Sequence, residues 1–213
     1  MITRTLPGLL LTGILLGAGA SFAGLVVQAC RAAAGPGPAA GLPALPPPSG
    51  VPPHSPAQSP PPDLLLRDLA FPVAGVTPSA VPDSFLDPRG ARVHEAVDIP
   101  AARDTPVVAV DDGVAARLFK SRYGGTTLYQ VDPSQRYCYY YAHLSRYARG
   151  LEEGQALRRG QVVGYVGTTG NAPPGTPHLH FAIFRIEGER GCFGGAPINP
   201  HPLLARSRPT TAP

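Results

Sequence analysis

Residues 126–145 read TTLYQVDPSQRYCYYYAHLS, and this stretch decides the fold class because it holds two short runs rich in β-branched and aromatic residues. Similar runs bounded by Gly or Pro recur along the chain as TPVVAV, GVAARLF, QVVGYVG and LHFAIFR. Only LSRYA, residues 144–148, indicates a helical turn. Short runs at this spacing predict an all-β fold of antiparallel sheets, and about 140 residues suffice to bury a core.

Alternation along the run YCYYYAH predicts how its side chains divide between two faces. On a strand, residues of equal parity share a face. Tyr139 and Tyr141 are therefore expected beside His143, with Cys138 and Tyr140 on the opposite face. A histidine on an apolar strand is usually a satisfied core residue, so His143 becomes a functional candidate only in combination with other motifs. The same parity makes Cys138 an unsuitable nucleophile.

The stretch HEAVDIP, residues 94–100, contributes two candidate metal ligands. Its β-branched residues and closing proline predict an extended segment or bulge rather than a helix. Strand parity then points His94 and Asp98 to one side and Glu95 to the other. HEAVD also resembles the helical HExxH zinc motif, in which the glutamate is the general base. Parity predicts instead that Glu95 faces away from the metal.

A second stretch, HLHF at residues 178–181, brings His178 and His180 to a common face by the same parity. His94, Asp98 and His180 together supply two imidazoles and one carboxylate. Catalytic zinc accepts this ligand set and keeps its fourth position for water. The sequence therefore predicts a zinc hydrolase.

The order of these motifs resembles one known family. HxxxD, then YAHL, then GYVGTTGN leading into HLHF is similar to the LytM and lysostaphin family of zinc metallopeptidases. The resemblance implies that His94, Asp98 and His180 bind zinc, and that His143 and His178 flank the site without binding the metal. It also implies the family's open antiparallel β-sandwich, with the zinc site in a groove on one sheet.

The resemblance covers about residues 68–204, and three features within it bear on the site. The family commonly has glycine where this chain has Ala96, a change that strains the backbone only if the position needs a positive φ. The segment TTGNAPPGTP, residues 168–177, is expected to form one wall of the groove. Arg89 and Asn171 are candidate substrate contacts on loops.

The predicted chemistry does not require a glutamate base. Zinc lowers the pKa of a bound water to about 7 and polarises the scissile carbonyl. A neutral His143 or His178 would orient or deprotonate the water, and its protonated form would stabilise the oxyanion or protonate the leaving amine. The sequence leaves the division of these roles between the two histidines open.

Residues 1–30 are expected to direct export. After Arg4, residues 5–30 contain no charge and are typical of a membrane anchor or an export signal. Three versions remain open: a retained anchor, which we favour, cleavage after Ala23, or lipidation of Cys30. Each predicts a protein of the bacterial cell envelope, either held on the periplasmic side of the inner membrane or secreted.

Residues 31–62 are predicted to be a disordered Pro-rich linker, since they contain twelve prolines, no acid and one arginine. At about 3.1 Å per residue, the linker would reach at most roughly 100 Å. A partner domain that binds the Pro-rich run is a less favoured alternative. No functional role is assigned to His54 in this stretch or to His201 near the end.

The net charge of +4 does not indicate a nucleic-acid partner. Residues 63–205, the predicted metallopeptidase domain, contain all 14 acidic residues and 14 Lys plus Arg, so this region is neutral. The excess comes from the N-terminal 62 residues and the tail 206–213. Since no basic stripe or nucleic-acid motif is present, a nucleic-acid partner is excluded.

The three cysteines fit an exported protein. If Cys30 lies in the membrane segment, Cys138 and Cys192 remain as an even pair in an oxidising compartment. The sequence therefore predicts a disulfide between them.

Taken with the resemblance, these features predict an exported zinc metalloendopeptidase that hydrolyses peptide bonds in cell-wall peptidoglycan. The alternative is a non-hydrolytic regulator of the same fold that binds and activates a cell-wall amidase, although such regulators usually lack ligands that this chain keeps. A general secreted protease acting on Gly-rich proteins is less favoured, because the linker suits a substrate beyond the membrane. The peptidoglycan bond that is cut stays open.

Overall fold

Antiparallel strands dominate residues 59–211, the part of the chain that this computed structural model describes. The predicted export segment, residues 1–30, and most of the predicted linker lie outside the described residues and stay predictions. Among residues 59–211, no helix has the length and apolar character needed to cross a membrane.

Between residues 59 and 211, short strands far outnumber short helical segments, so the predicted all-β class is confirmed as a mostly β fold. The strands are β1 (Pro88–Arg89), β2 (Arg92–Val93), β3 (Val97–Pro100), β4 (Pro106–Val108), β5 (Gly113–Ser121), β6 (Gly125–Val131), β7 (Tyr137–Leu144), β8 (Arg146–Tyr147), β9 (Ala156–Leu157), β10 (Val162–Tyr165), β11 (His178–Arg185) and β12 (Ala196–Ile198). The helices are α1 (Pro62–Leu65) and α2 (His201–Leu204), and 3₁₀ turns occupy Pro78–Ala80 and Gly188–Gly194.

The strands form a seven-stranded sheet, a three-stranded sheet and a two-stranded hairpin. The large sheet has the order β12-β11-β7-β6-β5-β9, and β3 also pairs with β11, next to β12 along the same edge. The small sheet has the order β4-β10-β8, and β1 pairs with β2. Each of these strand pairs is antiparallel, as predicted.

Apolar side chains from the two larger sheets meet in one core. Phe181 on β11 and Tyr141 on β7 are fully buried and pack against each other, with ring centroids 5.3 Å apart. The small sheet adds Val107 and Val163 to the same cluster. The hydroxyl of Tyr141 is satisfied in this core because it donates to Gln130 Oε1 at 2.6 Å and accepts the Val110 N–H at 3.0 Å.

The helical turn predicted in LSRYA is wrong. Arg146–Tyr147 forms β8, which pairs with β10 in the small sheet. The neighbouring backbone N–H groups of Ser145 and Ala148 donate to Tyr165 O at 2.8 Å and to Val163 O at 3.0 Å. These sheet hydrogen bonds satisfy the backbone groups that a helical turn would have paired within itself.

Candidate metal centre

The three predicted ligand side chains converge on one point. His94 Nε2 lies 3.0 Å from Asp98 Oδ1 and 3.0 Å from His180 Nδ1, and His180 Nδ1 lies 3.1 Å from Asp98 Oδ1. Two ligand atoms of a tetrahedral zinc site are separated by about 3.3 Å when each metal bond is about 2.0–2.1 Å. The three atoms therefore have the spacing of a metal-binding face, and this group is able to hold a metal ion.

Sheet pairing and one left-handed residue bring these side chains together. Asp98 on β3 lies directly opposite His180 on β11, so the two share a face. His94 precedes β3, and Glu95 beside it has a φ of 56°. This left-handed residue, rather than strand alternation, turns His94 toward Asp98. Ala96 is fully buried and is not among the positive-φ residues, so its side chain fits the place where the family commonly has glycine.

Ser84 contacts two of the candidate ligands, and the sequence did not indicate this. Its carbonyl accepts the His94 Nδ1–H at 2.9 Å, and its hydroxyl accepts the Asp98 backbone N–H at 3.1 Å. The first bond fixes the tautomer of His94, because a carbonyl oxygen only accepts. His94 therefore presents the lone pair of Nε2 to the cluster.

The chemistry of these donors fits a cation. His94 Nε2 lies 3.0 Å from a carboxylate oxygen of Asp98 and 3.0 Å from a ring nitrogen of His180. Three electron-rich atoms this close repel one another unless a proton or a metal ion lies among them. A divalent cation satisfies all three atoms at once.

The charge states of the ligands agree with this role. Burial acts to raise the pKa of Asp98, but its contacts with His180 and His94 outweigh burial and hold the pKa well below the usual range. Burial also lowers the pKa of His180. At neutral pH the group therefore offers one carboxylate and neutral imidazole, the forms that bind a metal.

His143 lies on the same face as His180, but strand alternation does not place it there as the sequence predicted. Tyr139 and Tyr141 face the core and are fully buried, whereas His143 lies on the face of Tyr140, with its ring 5.6 Å from that of His180. The prediction that His143 shares a face with Tyr139 and Tyr141 is wrong. The reason is a bulge: the β6–β7 register shifts by one residue between Thr126 and Leu128, and His143 has a φ of 60°.

The tautomer and charge of His143 are set by its surroundings. Its Nδ1–H donates to Thr169 O at 2.7 Å, which leaves the lone pair on Nε2. Burial, assisted by the nearby His180 and His178, lowers its pKa to about 4, although the bond to Thr169 opposes this shift. His143 is therefore neutral at pH 7 and has an unprotonated Nε2.

His178 has the same tautomer. Its Nδ1–H donates to Thr176 O at 2.8 Å, and its Nε2 lies 3.8 Å from Asp98 Oδ1. The His178 ring is 5.0 Å from the His143 ring. Two imidazoles outside the three-residue group thus stand beside it, each with Nδ1 bonded to a backbone carbonyl.

The remaining candidate residues take different positions. Arg89 donates to Asp98 Oδ2 at 2.6 Å, a contact that the sequence did not predict. Asn171 is exposed, and its backbone N–H donates to Tyr123 O at 2.9 Å. Glu95 contributes no atom to the three-residue group. His201 donates from Nε2 to Val81 O at 3.1 Å.

Two segments border the face that carries the site. The predicted disulfide is confirmed: Cys138 is bonded to Cys192, with their Cα atoms 5.5 Å apart. It ties Gly188–Gly194 to β7, and there the Phe193 ring packs on Tyr129 with centroids 4.7 Å apart. The second segment, residues 168–177, supplies the carbonyls of Thr169 and Thr176 to His143 and His178.

The five side chains of the site lie in a region that matches a known protein family. The model of peptidase family M23 matches residues 92–200, which contain all five histidine and aspartate side chains of the site. The L-Ala–D-Glu endopeptidase of Bacillus subtilis (strain 168) is 36% identical over 131 residues, which make up 58% of this chain and 40% of that protein. The chain therefore spans less than half of the length of this curated relative.

Two solved structures share the fold. A LytM protein from Ruminococcus gnavus superposes with a TM-score of 0.58 at 28% identity, covering 70% of this chain and 64% of that one. Lysostaphin from Staphylococcus simulans superposes with a TM-score of 0.51 at 24% identity, covering 68% of this chain and 59% of that one. The predicted similarity to the LytM and lysostaphin fold is confirmed.

Proposed function

This chain belongs to peptidase family M23, and on that premise we propose that it is a zinc metalloendopeptidase that hydrolyses peptide bonds in cell-wall peptidoglycan. The observation that carries the proposal is the convergence of His94 Nε2, Asp98 Oδ1 and His180 Nδ1 within 3.1 Å of one another. These three atoms would hold the zinc ion. A zinc ion bound by two imidazoles and one carboxylate lowers the pKa of water to about 7 and polarises a carbonyl.

His143 and His178 supply the proton chemistry in this proposal. Both keep Nδ1–H on a backbone carbonyl, so Nε2 is the ring nitrogen of each that remains for proton transfer. Because His143 is neutral at pH 7, it is able to accept a proton from a nucleophilic water. Once the half-buried His178 is protonated, it donates a hydrogen bond to the developing oxyanion or a proton to the leaving amine.

The relatives support the proposed substrate class. The Bacillus subtilis protein is named for the L-Ala–D-Glu bond, a linkage that contains a D-amino acid. We extend this activity to the present chain as peptidoglycan peptide hydrolysis, without assigning the bond. The Tyr140 ring lies 6.0 Å from the His180 ring and 4.7 Å from the Tyr129 ring, and this aromatic face beside the site suits an extended peptide chain.

The regulator alternative finds no supporting observation in the site. A non-hydrolytic activator of a cell-wall amidase has no need of a complete ligand set with two oriented histidines beside it. Among the described residues, His94, Asp98 and His180 form the candidate metal-binding group, and the two histidines beside it each donate to a backbone carbonyl. Activation of an amidase is therefore kept only as one possible result of the activity test described below.

The proposed location is the cell envelope, on the periplasmic side of the inner membrane. The uncharged segment 5–30 and the Pro-rich residues 31–62 support this location. Fractionation of cells that produce the full chain tests it. Recovery in the membrane fraction supports the anchor, recovery in the medium supports secretion, and recovery in the cytoplasm contradicts both.

The test of the activity combines metal analysis with three assays on the full chain. We expect one zinc ion per chain, release of soluble fragments from purified sacculi, and loss of both in His180→Ala. The regulator alternative gains support if wild type releases nothing by itself but raises the activity of a cell-wall amidase. Casein hydrolysis without sacculus hydrolysis would support a general protease.

A further inference from the structure

The two oxygens of Asp98 have different partners. Oδ1 faces the nitrogens of His94 and His180 at 3.0 and 3.1 Å, whereas Oδ2 accepts a hydrogen bond from Arg89 Nη2 at 2.6 Å. We infer that Arg89 is a positioning residue of the metal site, which holds Asp98 to single-oxygen ligation. This inference rests on the proposed function, because it requires that the site bind a divalent cation.

Single-oxygen ligation matters because a carboxylate is able to bind a cation with one oxygen or with two. If Oδ2 were free, rotation of the carboxylate would bring it toward the cation as a fourth protein atom. A hydrogen bond of 2.6 Å to a guanidinium gives Oδ2 a strong partner elsewhere. A catalytic site keeps one position for a non-protein ligand, and Arg89 protects that position.

The ion pair also changes what Asp98 gives to the metal. A carboxylate that shares its negative charge with a guanidinium donates less to the cation, which therefore stays more electrophilic. Folding stability does not explain the contact, since the Arg89 side chain is 48% exposed and ion pairs of that exposure contribute little.

One small element positions both Arg89 and a ligand. In the β1–β2 hairpin, Arg89 lies opposite Arg92, and Gly90 at the turn has a φ of 69°. The hairpin is closed where the His94 N–H donates to Asp87 O at 2.9 Å. A shift of this hairpin would therefore displace His94 and the guanidinium together.

Arg89 and Arg92 also provide a matched pair for the test. Both are exposed arginines on the same face of one hairpin, and like charges placed opposite each other are unfavourable. Among the contacts of the described residues, none joins Arg92 to the three ligands. Arg92→Met therefore removes the same charge from the same hairpin without touching Asp98.

The experiment uses the full chain loaded with Co²⁺, whose visible absorption bands lose intensity when the coordination number rises from four to five. Arg89→Met is expected to lower this intensity, because Oδ2 is then free to bind the cation, and to leave Zn²⁺ binding at least as tight as in wild type, because Asp98 then gives the cation more negative charge. Zinc affinity is measured by competition with a chromophoric chelator. Arg89→Lys is expected to lie between wild type and Arg89→Met, and Arg92→Met to match wild type.

Three results would overturn the inference. An unchanged Co²⁺ spectrum in Arg89→Met contradicts the positioning role, even if sacculus hydrolysis by wild type confirms the proposed function. Equal spectral changes in Arg89→Met and Arg92→Met would show an effect of charge alone. Wild-type protein that binds neither metal would reject both the inference and the proposed function. Thermal unfolding of the metal-free variants identifies any variant that fails to fold, and Arg89→Lys then carries the test.

Discussion

His143 depends on a strained backbone and a single threonine for its position. Its φ of 60° is unusual for a residue with a side chain, and Glu95, next to His94, shares this conformation. These two left-handed residues show that the site is built where regular strand geometry is broken. The neighbouring Thr169 holds the broken segment: its carbonyl fixes the His143 ring, and its hydroxyl accepts the Thr126 N–H at 2.9 Å and donates to Leu144 O at 2.7 Å.

Replacing Thr169 tests this support. Thr169→Val keeps the carbonyl and the shape but removes both hydroxyl bonds, which leaves two backbone groups unsatisfied. We expect a loss of about 1–3 kcal/mol in the free energy of unfolding, and a fall in kcat/KM because His143 is less well held. Urea denaturation and sacculus hydrolysis measure the two effects. Thr168→Val is the matched control, since its hydroxyl makes only a 3.4 Å contact with Arg103.

The depressed pKa of His143 predicts a pH dependence of stability in the metal-free protein. Its pKa is about 4 in the folded state and 6.5 for an ordinary histidine, so the unfolded chain binds this proton at higher pH than the folded one. The contribution of His143 to the free energy of unfolding is complete above pH 6.5. It falls by at most about 3 kcal/mol as the pH falls toward 4. His143→Asn, which keeps a donor for Thr169, is expected to lose less stability over that window. Urea denaturation of wild type and variant at several pH values between 4 and 7 checks this. An equal change of the free energy of unfolding with pH in both proteins would contradict it.

Among the elements, the β6–β7–β11 core of the large sheet was the most predictable. Alternating runs predicted the strands, and equal parity predicted that His178 and His180 would share a face. The face of His143 was mispredicted because a bulge inserts one residue and reverses parity beyond it. A bulge depends on the partner strand, so the sequence of β7 alone does not reveal it. The contacts of Ser84 and Arg89 were missed for the same reason, since their partners are distant along the chain.

The loop of residues 168–177 must pack closely against the β5–β6 turn to bring Thr169 to His143. A Cβ at Gly170, where φ is 78°, would lie 2.2 Å from Tyr123 O. Gly170→Ala is therefore expected to displace the loop, with a loss of stability and a marked fall in activity. Gly175→Ala is the matched control, because φ is 85° there but nothing lies within 4 Å of the added Cβ.

The two glycine variants separate conformational strain from the steric contact. Gly175→Ala should cost only the left-handed strain, about 1–2 kcal/mol, with activity retained. Thermal unfolding and hydrolysis of sacculi provide the comparison. If both variants behaved alike, the close approach at Gly170 would have no functional role.

The disulfide makes a second prediction about an element. It joins Gly188–Gly194 to β7, and Phe193 packs on the Tyr129 ring, which lies 4.7 Å from the Tyr140 ring. Removing the disulfide in the Cys138→Ala/Cys192→Ala variant is expected to cost about 2–4 kcal/mol of stability. Activity should also fall, because this segment borders the face that carries the site. Urea denaturation and hydrolysis assays measure both, with Cys30→Ala as a control that should match wild type.

For the whole molecule, the sequence separates a neutral, Gly-rich β domain from an uncharged segment and a Pro-rich stretch before it. The described residues 59–211 confirm a mostly β fold with the small and large sheets sharing one core. The proposed tether would let this domain act away from a membrane, on a substrate that is itself extended. The candidate metal-binding residues were predictable because they lie in short local motifs. The residues that hydrogen-bond to them are scattered along the chain, and these contacts were not predicted.

The most direct measurement is mass spectrometry of the peptides released from purified peptidoglycan sacculi by the zinc-loaded full chain, alongside His180→Ala. We predict that wild type releases soluble peptides with new amino and carboxyl ends at one type of bond, and that His180→Ala releases none. The identity of those ends also names the bond. Failure of the folded, zinc-loaded protein to release any peptide, or equal release by His180→Ala, would contradict the central claim that this site is a peptidase.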